Sequence, residues 1–288
     1  MTRRFTPAAL AFLLALFGTP LLAQESSSDD EPSYQESIDY DGDGDVDEGD
    51  LAQAAQNPVA DLISVPLQNN ATFGIGEYDR TRDVLNIQPV IPIKAGNWNL
   101  INRTIVPIVR QPDFFAPTGS TSGVGDITHS LFVSPAKAGK VIWGIGPVIL
   151  LPTASDAFLG TGKWGLGPSL VVLAMPGRWV LGALVNNLWS VGGDEERNDV
   201  NVFLTQPFVN YNMAGGWYLV SGPIITANWN ASEGNKWTVP VGGGFGKIFR
   251  VGKQPMNVNT QLFYNVTHPE LTGGKWEWRV QVQLLFPK

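Results

Sequence analysis

The sequence predicts an all-β fold, a transmembrane antiparallel β-barrel of about 12 strands with a short acidic N-terminal segment. Three observations carry that expectation. From Leu67 on, segments of roughly 10 to 14 residues rich in Val, Ile, Thr and aromatics recur, each bounded by turn residues. The connections between them alternate between short and long. The 10 tryptophans fall near segment ends and not at their centres, where indole rings settle at a membrane–water boundary.

Residues 1–23 read as a signal peptide. Arg3 and Arg4 form a positive start, Ala8 to Phe17 an apolar stretch, and small residues lead to a cleavage point after Ala23. The chain has no cysteine, so neither a disulfide framework nor thiolate chemistry is open to it. After the signal no uninterrupted apolar run reaches the roughly 20 residues of a helical span. The exported chain therefore crosses a membrane as strands or does not cross one.

Charge is unevenly placed. Residues 24–50 hold 12 of the 26 acidic residues and no Lys or Arg, while the body from Leu51 on carries 14 acidic against 17 basic residues. The body is near neutral and has no basic patch for nucleic acid.

Within the acidic segment, 24–56, residues 39–50 have the spacing of an EF-hand calcium loop. Asp39, Asp41 and Asp43 stand at positions 1, 3 and 5, where carboxylate oxygens converge on one ion. Gly44 stands at the sharp turn, Asp45 offers its carbonyl, Val46 is the apolar eighth residue and Asp47 acts through water. Asp50 replaces the usual Glu at position 12, and its shorter reach makes bidentate ligation harder. Pro32 and the serine run leave little room for an entering helix, whereas an exiting helix fits from about Glu48 to Ala55. The expected cofactor is calcium, weakly held at Kd of the order of 10⁻⁴ to 10⁻³ M. The competing reading is a solvated acidic tail.

Residues 57–66 read as a short helix, a plug in the barrel mouth or a simple lead-in, since Val59, Leu62, Ile63 and Val65 need cover. The barrel itself is expected over 67–288. Its strands are read at 67–76, 83–94, 97–111, 123–134, 140–152 and 163–175, then 178–190, 200–213, 216–230, 236–249, 255–267 and 275–286. Short connections such as 94–97, Pro176-Gly177 and Ala214-Gly215 alternate with longer ones such as 112–122, 153–162 and 268–274. Short periplasmic turns and longer external loops are the rule for outer-membrane barrels. An even strand count puts both termini on the periplasmic side.

The last strand shows the pattern most plainly. Trp276, Trp278, Val280, Val282, Leu284 and Phe286 share one face; Glu277, Arg279, Gln281 and Gln283 share the other. Period 2 with apolar against polar means lipid outside and a polar lumen inside. The same parity argument nominates Arg103, Asn257, Asn259, Gln261 and Asn265 as lumen residues. Val141 to Leu151, by contrast, is apolar on both faces. An alternating final strand with a terminal aromatic also fits recognition by barrel-assembly machinery, although Pro287 and Lys288 follow that aromatic.

Several stretches resemble a known bacterial family: Asn57 to Asn70, Trp98 to Ile105, Gly123 to Ile127, Gln206 to Tyr211 and Pro223 to Trp229. They are similar to the outer-membrane barrels named for a transporter of the meta-pathway of phenol degradation, some of which carry the label neuromedin U. The resemblance runs from Asn57 to the C-terminus and leaves out the acidic segment. It implies an outer-membrane location, a lipid environment and transport of small, hydrophobic or aromatic molecules. It brings no catalytic motif.

Two other functions compete with passive passage of a small solute. One is a non-conducting barrel that anchors a calcium-binding periplasmic tail. The other is a twelve-stranded outer-membrane phospholipase, which needs a Ser, a His and calcium. Only His129 and His268 are present. His129 and Ser130 are adjacent, hence on opposite faces of a strand. Gly242 to Gly246 is no nucleotide loop, because no helix follows it; strand glycines bend a wall or admit close packing.

Overall fold

The structure, a computed structural model, describes residues 48–137 and 139–287. The signal peptide and the loop residues Asp39, Asp41, Asp43, Asp45 and Asp47 lie outside the described residues. For Asp50 only the backbone is described, in the first turn of helix α1 (Glu48–Gln56).

Twelve antiparallel staves form one closed wall. They are β1 (Ile63–Ile75), β2 (Arg80–Ile87 continued by Val90–Ala95), β3 (Trp98–Pro112) and β4 (Ser120–Val124 continued by Ile127–Pro135). Then come β5 (Val141–Leu151), β6 (Lys163–Ala174), β7 (Trp179–Gly193) and β8 (Asn201–Asn212). The last are β9 (Trp217–Ser221 continued by Ile225–Asn228), β10 (Trp237–Val251), β11 (Gln254–Thr267) and β12 (Trp276–Phe286). Each pairs with the next, and β12 pairs back onto β1 from Ile63↔Phe286 to Phe73↔Trp276. Closure leaves no edge strand, so every stave finds hydrogen-bond partners on both sides.

The first stave starts at Ile63, four residues before the expected Leu67. Ser64 has a partner on each side, Leu285 and Val90, so the ladder extends towards the N-terminus as far as its neighbours reach. Three staves are interrupted, β2 at Gln88-Pro89, β4 at Gly125-Asp126 and β9 at Gly222-Pro223-Ile224. Proline has no N–H for the ladder, which accounts for two of the breaks.

The outer face meets an apolar solvent. All ten tryptophans are exposed, between 37% and 50% of their surface. Trp98 stacks edge-on with Trp143 at the short-turn end, ring centres 6.2 Å apart; Trp229 meets Trp237 at 5.5 Å and Tyr264 meets Trp276 at 5.0 Å at the long-loop end. Between these girdles Ile145, Leu166, Leu170, Leu219, Val241 and Leu262 stand exposed. A contiguous apolar belt of this kind is unstable in water and stable in lipid. A soluble sandwich would bury these indoles. Among the described residues no helix is long and apolar enough to cross a membrane.

Helix α1 and the turn after it lie against the inner wall. Leu51, Ala52, Ala60 and Leu62 are buried with Tyr218, Ile248 and Leu285; Val59 is buried with Ile101, Phe132, Ile142 and Val171. The helix spans Glu48–Gln56, where a helix from about Glu48 to Ala55 is expected from the sequence. Residues 57–62 form the turn that carries the chain from the lumen into β1.

Candidate functional site: the barrel lumen

The inner wall has two unlike halves. From β3 to β8 the inward positions are largely apolar: Ile101, Phe132, Ile142, Val171, Leu173, Val180, Leu184 and Phe208 form one cluster around Val59. Gly144 provides the seat, because a Cβ there would lie 2.9 Å from Val59 Cγ1. The apolar inner face of β5, which sequence parity left without a counterpart, packs against this inner segment. The segment is also held by polar contacts. Gln56 Nε2 donates to Asn212 Oδ1 (2.8 Å), and Asn57 Oδ1 accepts from the Val59 N–H (2.9 Å).

From β9 through β12 to β1 the inward positions are mostly amides and one guanidinium. Tyr218 Oη donates to Asn257 Oδ1 (2.5 Å), Asn257 Nδ2 to Gln283 Oε1 (3.0 Å) and Gln261 Nε2 to Asn259 Oδ1 (3.1 Å). The Tyr218 ring lies directly over Gly246, where a Cβ would fall 2.3 Å from Cζ. A glycine is required there for the ring to reach Asn257. Close packing, one of the two roles expected of these strand glycines, is thus realised at Gly246.

Arg279 is 1% exposed and ties three staves together. Its Nε donates to Asn70 Oδ1 (2.9 Å), Nη1 to the Gly222 carbonyl (2.7 Å) and Nη2 to Glu277 Oε1 (2.9 Å), with the guanidinium 4.9 Å over the Phe263 ring. The Gly222 N–H donates to Gln261 Oε1 (3.0 Å). Lumen side chains therefore satisfy both the N–H and the carbonyl of Gly222, at the start of the β9 break, as a buried polar backbone group requires.

A cavity of about 180 Å³ lies in the lumen, with residues 54–58 of the inner segment along one side. Six of the predicted lumen residues line it, Arg103, Asn257, Asn259, Gln261, Gln281 and Gln283. The other three do not. Arg279 and Glu277 form the ion pair described above, and Asn265 Nδ2 donates to the Gly274 carbonyl (2.6 Å) near the long-loop end. Parity alone missed Gln68, Gln88, Gln206 and Tyr218, which share the lining. Gln88 and Gln206 each precede a proline, Pro89 or Pro207, and the interrupted pattern hid them; Gln68 pairs with Gln281 and could have been placed from that register. The volume corresponds to about six waters at ~30 Å³ each. It falls below the ~300–1,000 Å³ of ordinary small-ligand sites.

The loops at the long-loop end are stitched to one another. Arg197 donates to the carbonyls of Ala157 (2.8 Å), Gly160 (2.5 Å) and Thr161 (3.3 Å), and Asp126 accepts from the N–H of Thr161 (2.6 Å). Asp199 accepts from Ser190 Oγ (3.0 Å) and faces Lys163 Nζ at 3.4 Å. The Ser190 hydroxyl, then Lys163, hold its carboxyl below the usual carboxylate range.

The two histidines lie apart from this lumen network. His129 pairs with Thr104 on the outer face, Thr104 Oγ1 to His129 Nδ1 at 3.0 Å, while Ser130 points inward; His268 Nδ1 donates to the Pro269 carbonyl in a loop (3.0 Å). No serine–histidine pair is assembled by either among the described residues. Nor do those residues hold a group of three His, Asp or Glu side chains with metal-site geometry.

Comparison with known proteins bears on the fold. No family model matches the chain, and no curated protein matches it in sequence. Among solved structures, the chain is similar to the COG4313 outer membrane channel from Pseudomonas putida F1, with TM-score 0.60 and 16% identity over 78% of this chain and 94% of that one. It is more remotely similar to the NanC porin, TM-score 0.48 and 11% identity over 77% and 98%. Outer membrane phospholipase A from Escherichia coli gives TM-score 0.42 and 13% identity over 82% and 97%. The fold is that of a twelve-stranded outer-membrane β-barrel.

Proposed function

We propose that this protein is an outer-membrane channel through which small molecules with an apolar part pass passively when the inner segment, residues 48–62, leaves its seat. One observation carries the reading: a segment that belongs to no stave is lodged inside the lumen, Val59 against the apolar half and Leu51, Ala52, Ala60 and Leu62 against Tyr218, Ile248 and Leu285, beside a polar-walled cavity. A structural anchor has no need of a cavity with amide walls, and a bulk pore would not keep an apolar inner wall.

Magnitudes favour a movable segment over a permanent stopper. Burying Leu51, Val59 and Leu62 yields on the order of 5–9 kcal/mol gross. Ordering the segment costs about 1–2 kcal/mol per residue. The seat is therefore weak beside a wall whose strands are bonded on both sides, and weakly held elements are the ones that move. Liposome swelling tests the reading. Full-length protein should admit small phenols, and Val59→Asp, which places a charge in the apolar seat, should admit them severalfold faster. Equal rates for liposomes with and without the protein would sink it.

A second reading joins the calcium motif to the same segment. Helix α1 begins at Glu48, where the exiting helix of an EF-hand is expected. We propose that Asp39, Asp41, Asp43, Asp45, Asp47 and Asp50 bind calcium weakly and that the ion steadies the start of this helix. Titration calorimetry on the full chain should show saturable heat that Asp39→Ala with Asp43→Ala abolishes. No such heat would return the segment to a solvated acidic tail.

A further inference from the structure

We propose that Arg103 forms an anion subsite in the lumen cavity, suited to a small organic monocarboxylate whose apolar body lies against Leu184 and Phe208. This rests on the passage reading and adds to it a substrate class.

The inward direction of Arg103 follows from register, Val90↔Arg103 on one side and Arg103↔Ser130 on the other. Its side chain borders the cavity. Of the guanidiniums that face the lumen, Arg82 lies in the Glu277 neighbourhood, and Arg103 and Arg279 are treated differently by the fold. Arg279 has an acid partner, Glu277, at 2.9 Å from Nη2, and its other two nitrogens donate to Asn70 and to the Gly222 carbonyl. Arg103 makes one side-chain bond, Nη2 to Gln88 Oε1 (2.7 Å), and no carboxylate among the described residues lies within ion-pair distance. Arg103 is among the residues that line the cavity, and a guanidinium fork is built for bidentate contact with a carboxylate.

Neighbouring chemistry narrows the class. Gln68, Gln206, Gln281 and Gln283 border the same cavity and are neutral amides, able to donate to an anion without repelling it. A buried cation without a counter-charge is costly, and a single negative charge balances it where a double one would leave an excess. Leu184 and Phe208, from the apolar half, complete the lining and have no use for an inorganic ion. A monoanion with a hydrocarbon body matches both walls.

Calorimetric titration of the full chain in detergent, with benzoate as the probe, tests this. Benzoate should give saturable heat, and its neutral isostere benzamide should bind at least tenfold more weakly. Arg103→Gln should weaken benzoate at least tenfold, and Arg103→Lys, which keeps the charge and loses the fork, by less. The unfolding midpoint of Arg103→Gln should match that of the unaltered protein, which guards against a folding artefact. Equal affinity for benzoate and benzamide, or unchanged affinity in Arg103→Gln, overturns the subsite. So does displacement of benzoate by chloride at equal concentration. Planar bilayers separate the two readings. Arg103-dependent binding without any current contradicts passage and keeps the subsite; current without Arg103-dependent binding does the reverse.

Discussion

The two halves of the inner wall follow the same strand geometry and do different work. Between β3 and β8 the inward residues are Ile, Leu, Val and Phe, and they enclose Val59 from the inner segment. From β9 to β1 Asn, Gln, Tyr and Arg, hydrogen-bonded mostly to one another, alternate with a few buried apolar residues, Ile248, Phe263 and Leu285. An apolar half-wall would be unstable against water, so its partner must come from the chain itself. A polar half-wall tolerates water and can face an open cavity. The difference teaches that one closed strand geometry supports an apolar wall that takes up Val59 and a polar wall that borders the cavity.

Substitutions can break or sharpen that division. The largest expected effect contrasts outside with inside on one strand. Val282→Arg places a charge in lipid near the midplane and should cost about 2–4 kcal/mol, whereas Gln281→Arg, facing the cavity, should be milder. Urea unfolding in lipid vesicles compares them; equal losses would sink the assignment of faces.

The next contrast sets one glycine from each half against the other. Gly246→Ala forces a Cβ onto the Tyr218 ring and should destabilise the barrel by about 1–3 kcal/mol, as overpacking does. Gly144→Ala instead presses most closely on Val59, at 2.9 Å, with Val171 and Phe132 of the wall at 3.3 and 3.4 Å. Barrel unfolding should therefore change less than in Gly246→Ala while solute entry rises. A large stability loss at Gly144 with unchanged entry would mean that Val59 belongs to the wall.

A smaller effect is expected at Tyr218→Phe, about 1 kcal/mol for the lost hydrogen bond to buried Asn257. Denaturant midpoints would check it, and a stabilised variant would contradict the polar network. The smallest concerns the loops. Because the Asp199 carboxyl titrates below its ordinary 3.8, its contribution is fully present above that pH and is lost as pH falls through the lower folded value. Pepsin should therefore cut the 194–200 loop faster only in that acid window, and Asp199→Asn should remove the pH dependence.

Much of this architecture was legible in the sequence. Alternation from Trp276 to Phe286, turn chemistry at Pro176-Gly177 and tryptophans at strand ends are local signals, and the barrel wall is built from local periodicity. The site was only half legible. Parity says which face a residue takes but not its depth along the axis, which is why Asn265, Glu277 and Arg279 point inward yet miss the cavity. Gln88 and Gln206 were hidden by the prolines that follow them. The apolar inside of Val141 to Leu151 made no sense from its own strand, because its counterpart, Val59, lies more than eighty residues away in the chain.

The central claim is that residues 48–62 must leave the lumen for solute to pass. The chain has no cysteine, so Gln56→Cys with Asn212→Cys supplies the sole reactive pair, at side chains that touch at 2.8 Å. Bridging the pair with a short bifunctional thiol reagent that is cleavable by reductant ties the segment to the wall. Single-channel recording of the bridged protein should show current near the baseline, with openings restored on reduction. Openings of the same size and frequency before and after reduction would contradict the account.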